Sequence, residues 1–537
     1  MTTSTIPDPI RAGLARGWKV IDLAQAGPDV ALECDAVIVG TGAGGGVAAE
    51  ILALAGLAVV VVEEGPLRSS ADFRMLEAEA YPDLYQESAG RKTADKAINI
   101  LQGRCVGGGT TVNWTSSFRT PEATLRHWMR AYGLADCAPE KLAPWFARME
   151  ARMSVGPWEV PPNANNDALA RGATALKIPH GTIRRNVRGC ADLGYCGTGC
   201  PLNAKQSTLV ATLPVALDRG ATLLVRARAD RLVHEHGRVT TLAGRGMDAS
   251  GTTPGTRHFT VRARAFVAAA GAIGTPALLL RSAVPDPHQL VGRRTFLHPV
   301  VVSAALMPGR VDGFAGAPQS VYSDHWLDTL PLDGPMGFKL EAPPVHPILA
   351  SITLVGHGPL HARYMRELRN LHVQLALLRD GFHPDSPGGR VTLRDDGTPL
   401  LDYPLTPYLW DGARRALLAM AELQFAAGAK EVVPIHGSGA SFDSWPAARS
   451  AIGAFRLAPL ATPLFSAHVM GGCAMGPDAA RAVVATNGRH HQLDNLYVAD
   501  GSLFPTSIGA NPQLSIFATA ARIAEALAGT LGGSRSG

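Results

Sequence analysis

Asp35-Ala36-Val37-Ile38-Val39-Gly40-Thr41-Gly42-Ala43-Gly44-Gly45-Gly46 is the stretch on which the reading of this chain turns. A short apolar strand runs directly into Gly40-x-Gly42-x-x-Gly45. A helix-like run, Val47 to Leu54, follows, and a second apolar run, Ala58 to Val62, ends on Glu63. This is the pattern of a βαβ unit that holds a dinucleotide. Gly40 permits the tight turn, Gly42 lets the backbone approach a pyrophosphate, and Gly45 lets helix and strand pack closely. Glu63 stands about 20 residues beyond the glycines, where an acid accepts hydrogen bonds from a ribose. The competing reading is a glycine-rich loop with no ligand. The strand before it, the helix after it and the acid in place all argue against that.

Outward from this unit, 537 residues exceed one simple core, so two or more domains are expected. A hydrophobic share of 46% with 18% charged residues suits a globular enzyme and not a disordered chain. A net charge of +5 without any basic run argues against a nucleic-acid partner. Met1 to Val20 is polar and mixed, with no apolar leader and no twin arginine, so a cytoplasmic location is expected. A chain exported with a signal-bearing partner would look the same. The long apolar runs are broken by Gly, Pro or charge, so no transmembrane segment is expected. Seven scattered cysteines do not form a secreted disulfide framework.

Along the chain, Ile10 to Ala24 reads as a short helix within the lead-in. A second glycine-rich passage, Gly103 to Trp114, contains Gly107-Gly108-Gly109. Helices are predicted at Pro121 to Tyr132, Glu140 to Met153, Ser207 to Asp218, Thr275 to Ser282, Asp411 to Ala426 and Pro512 to Ala528. A strand pair is predicted over Ala221 to Glu235, and strands over His258 to Ala269 and Asn495 to Asp500. From about Val300 to Leu400 the alternation changes to that of an antiparallel sheet, as in Val301 to Leu306, His372 to Leu378 and Arg390 to Leu393. An α/β core at both ends of the chain thus encloses a mostly antiparallel insert.

The chemistry-bearing residues lie in the C-terminal third. His468 stands before paired glycines in Ser466-Ala467-His468-Val469-Met470-Gly471-Gly472, where a planar group is expected to come close. Asp500-Gly501 ends a strand. Asn511-Pro512 opens a helix, with Pro512 placed in its first turn. The free N–H groups beyond Pro512 form an electropositive spot suited to the negative charge of a reduced flavin. Asp500 suits ribityl hydroxyls. One histidine and one asparagine beside a flavin suit alcohol oxidation, with His468 as general base and Asn511 holding the same oxygen. A lone histidine is usually structural, and an Asn-Pro pair is usually a turn. Their joint placement behind a dinucleotide fold lifts both.

With those residues in view, the chain resembles the glucose-methanol-choline (GMC) oxidoreductases. The resemblance is carried by Val37 to Gly65, Gly103 to Trp114, Phe266 to Ser282, Val291 to Pro299, His468 to Gly476 and Asn495 to Ala524. It implies an α/β fold. A discontinuous Rossmann-like FAD domain over 31–299 and 465–537 is joined to a substrate domain on a large antiparallel sheet over 300–464. It implies that Gly40, Gly42, Gly45 and Glu63 contact the ADP half of FAD, and that Gly107, Gly108 and Asn113 run along the pyrophosphate and flavin. It places Ala229 at the adenine, Asp500 and Gly501 at the ribityl chain, and His468 and Asn511 at the two catalytic positions. Gly40 to Gly46, Cys200 to Ser207 and Val291 to Pro299 look most like the long-chain fatty alcohol oxidase branch. The implied substrate is then an apolar alcohol, and many aliphatic residues around Phe338 to Leu360 fit a greasy pocket. No histidine in Gly103–Trp114 offers a covalent flavin link, so non-covalent FAD is expected.

Cys190, Cys196 and Cys200, before Pro201, are candidate ligands for an iron–sulfur cluster. The set lacks the usual C-x2-C spacing and a fourth ligand, and a tight loop of free thiols is the competing reading. The functional alternatives are a hydroxynitrile-lyase-type enzyme on the same scaffold and a dehydrogenase subunit passing electrons to a partner. A non-enzymatic FAD-binding subunit and a disulfide reductase using Cys196 and Cys200 are further readings, the latter disfavoured because a second G-x-G-x-x-G is missing. The electron acceptor, oxygen or another, and the oligomeric state are not legible in the residues.

Overall fold

The computed structural model describes residues 6–533. Met1 to Thr5, part of the lead-in read above for targeting, lie outside the described residues.

The strand Val30–Val39 is the centre of an eight-stranded sheet. Val59–Val62 lies parallel to it on one side, followed by Thr222–Val225 and Lys19–Asp22. On the other side Pro254–Ala268 runs parallel to it, and Leu496–Val498 pairs in parallel with that strand. Arg238–Met247 and Ala227–Glu235 extend the sheet antiparallel. Segments from both ends of the chain therefore share one sheet. Val59–Val62 is buried on both faces, as parallel strands are, and each valine withdrawn from water contributes roughly 1.5–3 kcal/mol. The helix Ala43–Leu54 is buried from Gly44 to Ala53 between this sheet and the closing helix Gln513–Gly533. That closing helix is long and apolar enough by composition to cross a membrane. Its packing on Ala43–Leu54, with Leu514, Phe517, Ala521 and Ala524 buried, makes it a core helix here.

A second eight-stranded sheet has the order Ile98–Ile100, Leu464–Ser466, Val300–Leu306, Leu371–Leu378, Phe338–Glu341, Val321–Ser323 and Gly181–Thr182, with Glu431–Pro434 also on Val300–Leu306. It is antiparallel except at Ile98–Ile100 against Leu464–Ser466. Its alternation sorts the core. Val301 and Ala305 pack with Leu417 and Met420 of the helix Pro407–Ala426. Val300, Val302 and Ala304 face the opposite way, with Leu375 and Leu377.

Several expectations need correction. The lead-in helix is only Pro9–Ala15. Gly17, at φ +96°, ends it, and Lys19–Asp22 becomes an edge strand. The predicted helix over Ser207 to Asp218 forms only at Leu213–Asp218, because Thr208 turns to bond Thr41 and Pro214 sets the start. Ala221 to Glu235 is the strand pair expected, Thr222–Val225 and Ala227–Glu235, parted at Arg226 (φ +47°), and its halves pair with different neighbours. Gly389–Leu393 leaves the large sheet for a separate four-stranded one with Pro399–Asp402, Arg293–Phe296 and Met470–Gly471. The unit expected over 31–299 is also not all on the nucleotide side. Ile98–Ile100 and Gly181–Thr182 are strands of the second sheet, and Ala168, Leu169 and Ala173 belong to its core.

Candidate active site

The glycine loop is shaped by packing on three sides. Gly40, at φ +102°, donates to Val62, and a Cβ on it would meet the Ala269 carbonyl at 2.3 Å. A Cβ on Gly45 would lie 1.9 Å from the Gly40 carbonyl oxygen, so this glycine lets helix and strand close. A Cβ on Gly42 would meet nothing nearer than Gly108 Cα at 4.0 Å, and one on Gly109 would meet nothing within 4 Å. Both face a cavity of about 630 Å³.

Gly40, Gly42, Glu63, Gly108, Asn113, Ala229, His468, Asp500, Gly501, Asn511 and Pro512 all line that cavity. Gly45 and Gly107, expected as cofactor contacts, do not. Gly45 is packed against Gly40. The Gly107 N–H is turned onto Thr41 Oγ1 at 2.9 Å. The paired glycines after His468 also have another use. Gly471 lies against the Arg294 carbonyl, where a Cβ would come within 2.1 Å, and Gly472 lies against Pro276 and Thr295. The space beside the two glycines is thus taken by the strand Arg293–Phe296 and the helix Gly271–Arg281 of this chain.

Glu63 ends its strand fully buried. Its carboxylate accepts from Thr41 N (3.1 Å), Thr41 Oγ1 (2.5 Å) and Gly65 N (2.9 Å), and burial raises its pKa. Asp500 is committed more heavily. One oxygen accepts from Ser502 N and Oγ, the other from Gly271 N at 2.8 Å and Thr275 Oγ1 at 2.6 Å. The carboxylate expected at ribityl hydroxyls therefore also ties the last parallel strand to the helix Gly271–Arg281. Asn113 is pinned by Gln513 at 2.8 Å, and its carbonyl takes the buried Lys205 ammonium. Pro512 stands one residue before its helix. Its carbonyl accepts the first intrahelical bond, from Ile516 N, which makes it the N-cap residue.

His468 is placed by the sheets. The chain leaves the eight-stranded sheet after Ser466 and enters the four-stranded sheet at Met470, so His468 lies on the crossover. A second crossover, from Phe296 to Val300, runs beside it because Thr295 pairs with Gly471 and Val300 with Phe465. His298 stands on that one. The two imidazoles meet with Nδ1 atoms 3.2 Å apart. Burial pushes His468 down to about 4, and burial with the neighbouring His468 pushes His298 well below the usual range. His468 Nε2 has no hydrogen bond to the described residues, and His468 lines the cavity while His298 does not.

Across the cavity wall, Asn511 Nδ2 donates to Glu341 Oε2 at 3.3 Å. Glu341 is fully buried on Phe338–Glu341, and burial pushes it up to about 7. Neither His298 nor Glu341 was singled out in the sequence. The only signal for His298 was its place in Val291 to Pro299. Glu341 has no local signature, since it is one residue of a short strand.

The cysteine loop does not form a metal centre. Among the described residues no three histidine, cysteine or acidic side chains are grouped to hold an ion. Cys190, Cys196 and Cys200 are free thiols, and Cys196 Sγ faces the Arg185 guanidinium at 3.7 Å. Among the described residues the three thiols are not gathered as a ligand set, and the iron–sulfur reading gains no support from their placement.

Residues 79–300 and 384–520 match the N- and C-terminal parts of the GMC oxidoreductase family. The chain belongs to the GMC oxidoreductases. It is 32% identical to an uncharacterised GMC-type oxidoreductase of Sinorhizobium fredii over 93% of this chain and 95% of that one. It is 30% identical to a long-chain-alcohol oxidase of Arabidopsis thaliana over 91% of this chain and 66% of the relative. Among solved structures, pyridoxine 4-oxidase from Mesorbium loti superposes with TM-score 0.66 at 19% identity, covering 92% of this chain and 99% of that one. A formate oxidase of Aspergillus oryzae does so with TM-score 0.67 at 14% identity, covering 94% and 100%. These two share the fold. As a GMC oxidoreductase the chain is an FAD-dependent enzyme acting on CH–OH groups. The open space at Gly42 and Gly109, and the carboxylate of Glu63 at the cavity wall, fit the FAD that the family uses.

Proposed function

We propose that this GMC oxidoreductase oxidises alcohols with a long or bulky apolar body, with His468 as the general base and FAD held non-covalently. One observation carries the reading. The cavity that begins at the nucleotide loop passes His468 and Asn511 and continues between Val300, Val302, Leu375, Leu377 and Leu354, with no charged side chain among these. The stretch Phe338 to Leu360 supplies part of this arm through Val345, Leu349, Ala350 and Leu354. Phe338 and Leu340 point to the other core. An aliphatic chain there leaves water at roughly 0.8 kcal/mol per methylene.

FAD, when bound, accepts the carbon hydrogen with its electron pair. The protein's own part is to position and to move a proton. Asn511, anchored on Glu341, presents its amide to the hydroxyl oxygen. His468 Nε2 takes the hydroxyl proton while the O–H electron pair stays on oxygen. The low basicity that burial gives His468 keeps it unprotonated, and so ready, at neutral pH. The relatives' alcohol-oxidase character supports the reading. Oxygen is the acceptor proposed, and a cytoplasmic setting is proposed with it.

The deciding experiment uses the yellow, FAD-loaded protein under nitrogen. Primary alcohols of increasing chain length should bleach the flavin with rising efficiency, and admitted air should restore the colour. A flavin that stays oxidised with every alcohol in the series defeats the reading.

A further inference from the structure

The His298–His468 contact carries an inference beyond that reading, and it rests on His468 being the base. We propose that His298 is the positioning residue for His468, its Nδ1 lone pair accepting the His468 Nδ1–H so that the Nε2 lone pair of His468 is turned to the cavity.

The geometry calls for one shared proton. The rings lie with centroids 5.4 Å apart and planes at 31°. Two nitrogens at 3.2 Å hold one proton between them, since two lone pairs or two N–H groups would repel. When His468 takes a proton from an alcohol, the O–H bond breaks and the Nε2–H bond forms. Both its ring nitrogens are then donors. Its Nδ1–H needs an acceptor, and His298 Nδ1 is the hydrogen-bond partner that the fold provides. A neutral His298 that accepts at Nδ1 carries its own proton on Nε2. That atom is buried with no hydrogen-bond partner among the described residues, so no donor opposes this tautomer.

His298 is fixed for the task. It holds φ +48°, a conformation non-glycine residues rarely adopt. Its N–H is bonded to Asp380 Oδ1 at 3.1 Å. Asp380 Oδ2 takes Leu297 N at 3.0 Å and the Tyr403 hydroxyl at 2.7 Å. The charged groups that face His298 are Lys339 and Arg379, with Asp380 on its backbone side and Glu341 two residues from Lys339. Burial first, then the neighbouring His468 and the two cations, keep His298 neutral. It therefore acts as an acceptor and not as the next carrier of the proton.

The test compares His298→Leu, which removes the acceptor, with His298→Asn, whose amide oxygen can take the place of Nδ1. Each is assayed by anaerobic stopped-flow flavin reduction across pH, with FAD content and Tm as fold controls. His298→Leu should slow reduction roughly tenfold to a hundredfold and move the acid limb down by about one pH unit, with KM little changed. His298→Asn should restore most of the rate and return the limb. In ¹⁵N-histidine NMR of the FAD-loaded protein, His468 should carry its neutral-state proton on Nδ1. A wild-type rate and limb in His298→Leu overturns the proposal, as does equal slowing in both variants with an unmoved limb, or a His468 proton on Nε2. A separate His468→Ala arm distinguishes the failures. If that variant reduces flavin at the wild-type rate, the base assignment itself falls. If it is slow while His298→Leu is normal, only the role of His298 falls.

Discussion

At the scale of single residues, burial holds His468, His298 and Glu341 in unusual protonation states. His468 is kept neutral by desolvation, so His468→Ala should lower the rate of anaerobic flavin reduction by about 10²–10⁴ while leaving FAD bound. Stopped-flow absorbance measures it, and a loss under tenfold would remove His468 from the chemistry. Glu341 makes a second prediction, about stability. Burial raises its carboxyl from 4.5 to about 7. A group whose folded pKa is raised stabilises the fold below its unfolded pKa, and that contribution is lost as pH climbs through the folded value. Between about pH 4.5 and 7, Glu341 therefore weakens the fold as pH rises. His468 and His490, both pushed down to about 4, act in the opposite sense: their contribution is present above 6.5 and lost as pH falls toward 4. Glu341→Gln should remove the first trend only. Denaturant unfolding should show the variant ahead by ~1–3 kcal/mol at pH 7.5, with the gap closing by pH 4.5. A gap that does not change between the two pH values would mean that the fold does not raise the Glu341 carboxyl.

At the scale of elements, the glycine loop separates packing from binding. Gly45 closes helix on strand, whereas Gly42 leaves open space. Gly45→Ala should yield a protein that is insoluble or melts several degrees lower, since its Cβ meets a backbone oxygen that cannot yield. Gly42→Ala should keep the apoprotein's Tm but weaken FAD at least about tenfold, because the methyl group enters the space a pyrophosphate needs. Fluorescence titration of FAD and thermal melts of the apoprotein read the two effects. A Gly42→Ala protein that binds FAD normally would break the assignment of that space. The paired crossovers explain why the two histidines meet. One strand pairing on each sheet, Thr295 with Gly471 and Val300 with Phe465, brings both connecting turns side by side. A variant that slips either register would separate the imidazoles without touching them.

At the scale of the whole molecule, one cavity spans the nucleotide loop and the second sheet, so on the proposed reading cofactor and substrate would share a wall. Val302 points into the apolar arm from the strand Val300–Leu306. Val302→Phe should lower kcat/KM for long-chain alcohols by roughly tenfold and leave short ones nearly unchanged. A uniform loss across chain lengths would place the apolar body elsewhere. The cavity is lined by segments from both halves of the chain, so FAD held there would bridge them and its removal should lower Tm. At a hundredfold excess over Kd the restored stability should be about 2.7 kcal/mol.

What the sequence determined by itself was whatever depends on neighbours within one turn or one βαβ unit. The strand, glycine loop, helix and Glu63 were readable because their spacing fixes their geometry. Asn511 before Pro512 was readable for the same reason, as were the helices Glu122–Tyr132 and Pro139–Arg152, whose boundaries moved by only a residue or two. Tertiary structure decided everything that needs two distant segments to meet. Gly389–Leu393 was legible as a strand but not by sheet, since pairing partners are set by topology. The three cysteines before Pro201 lacked the usual ligand spacing, and whether their thiols gather was settled only by the fold of the loop. His298 with His468, and Glu341 with Asn511, are each 170 residues apart. Local propensity carries no record of such contacts. They exist because buried sheets must register with one another, and burial then sets the protonation of what they enclose.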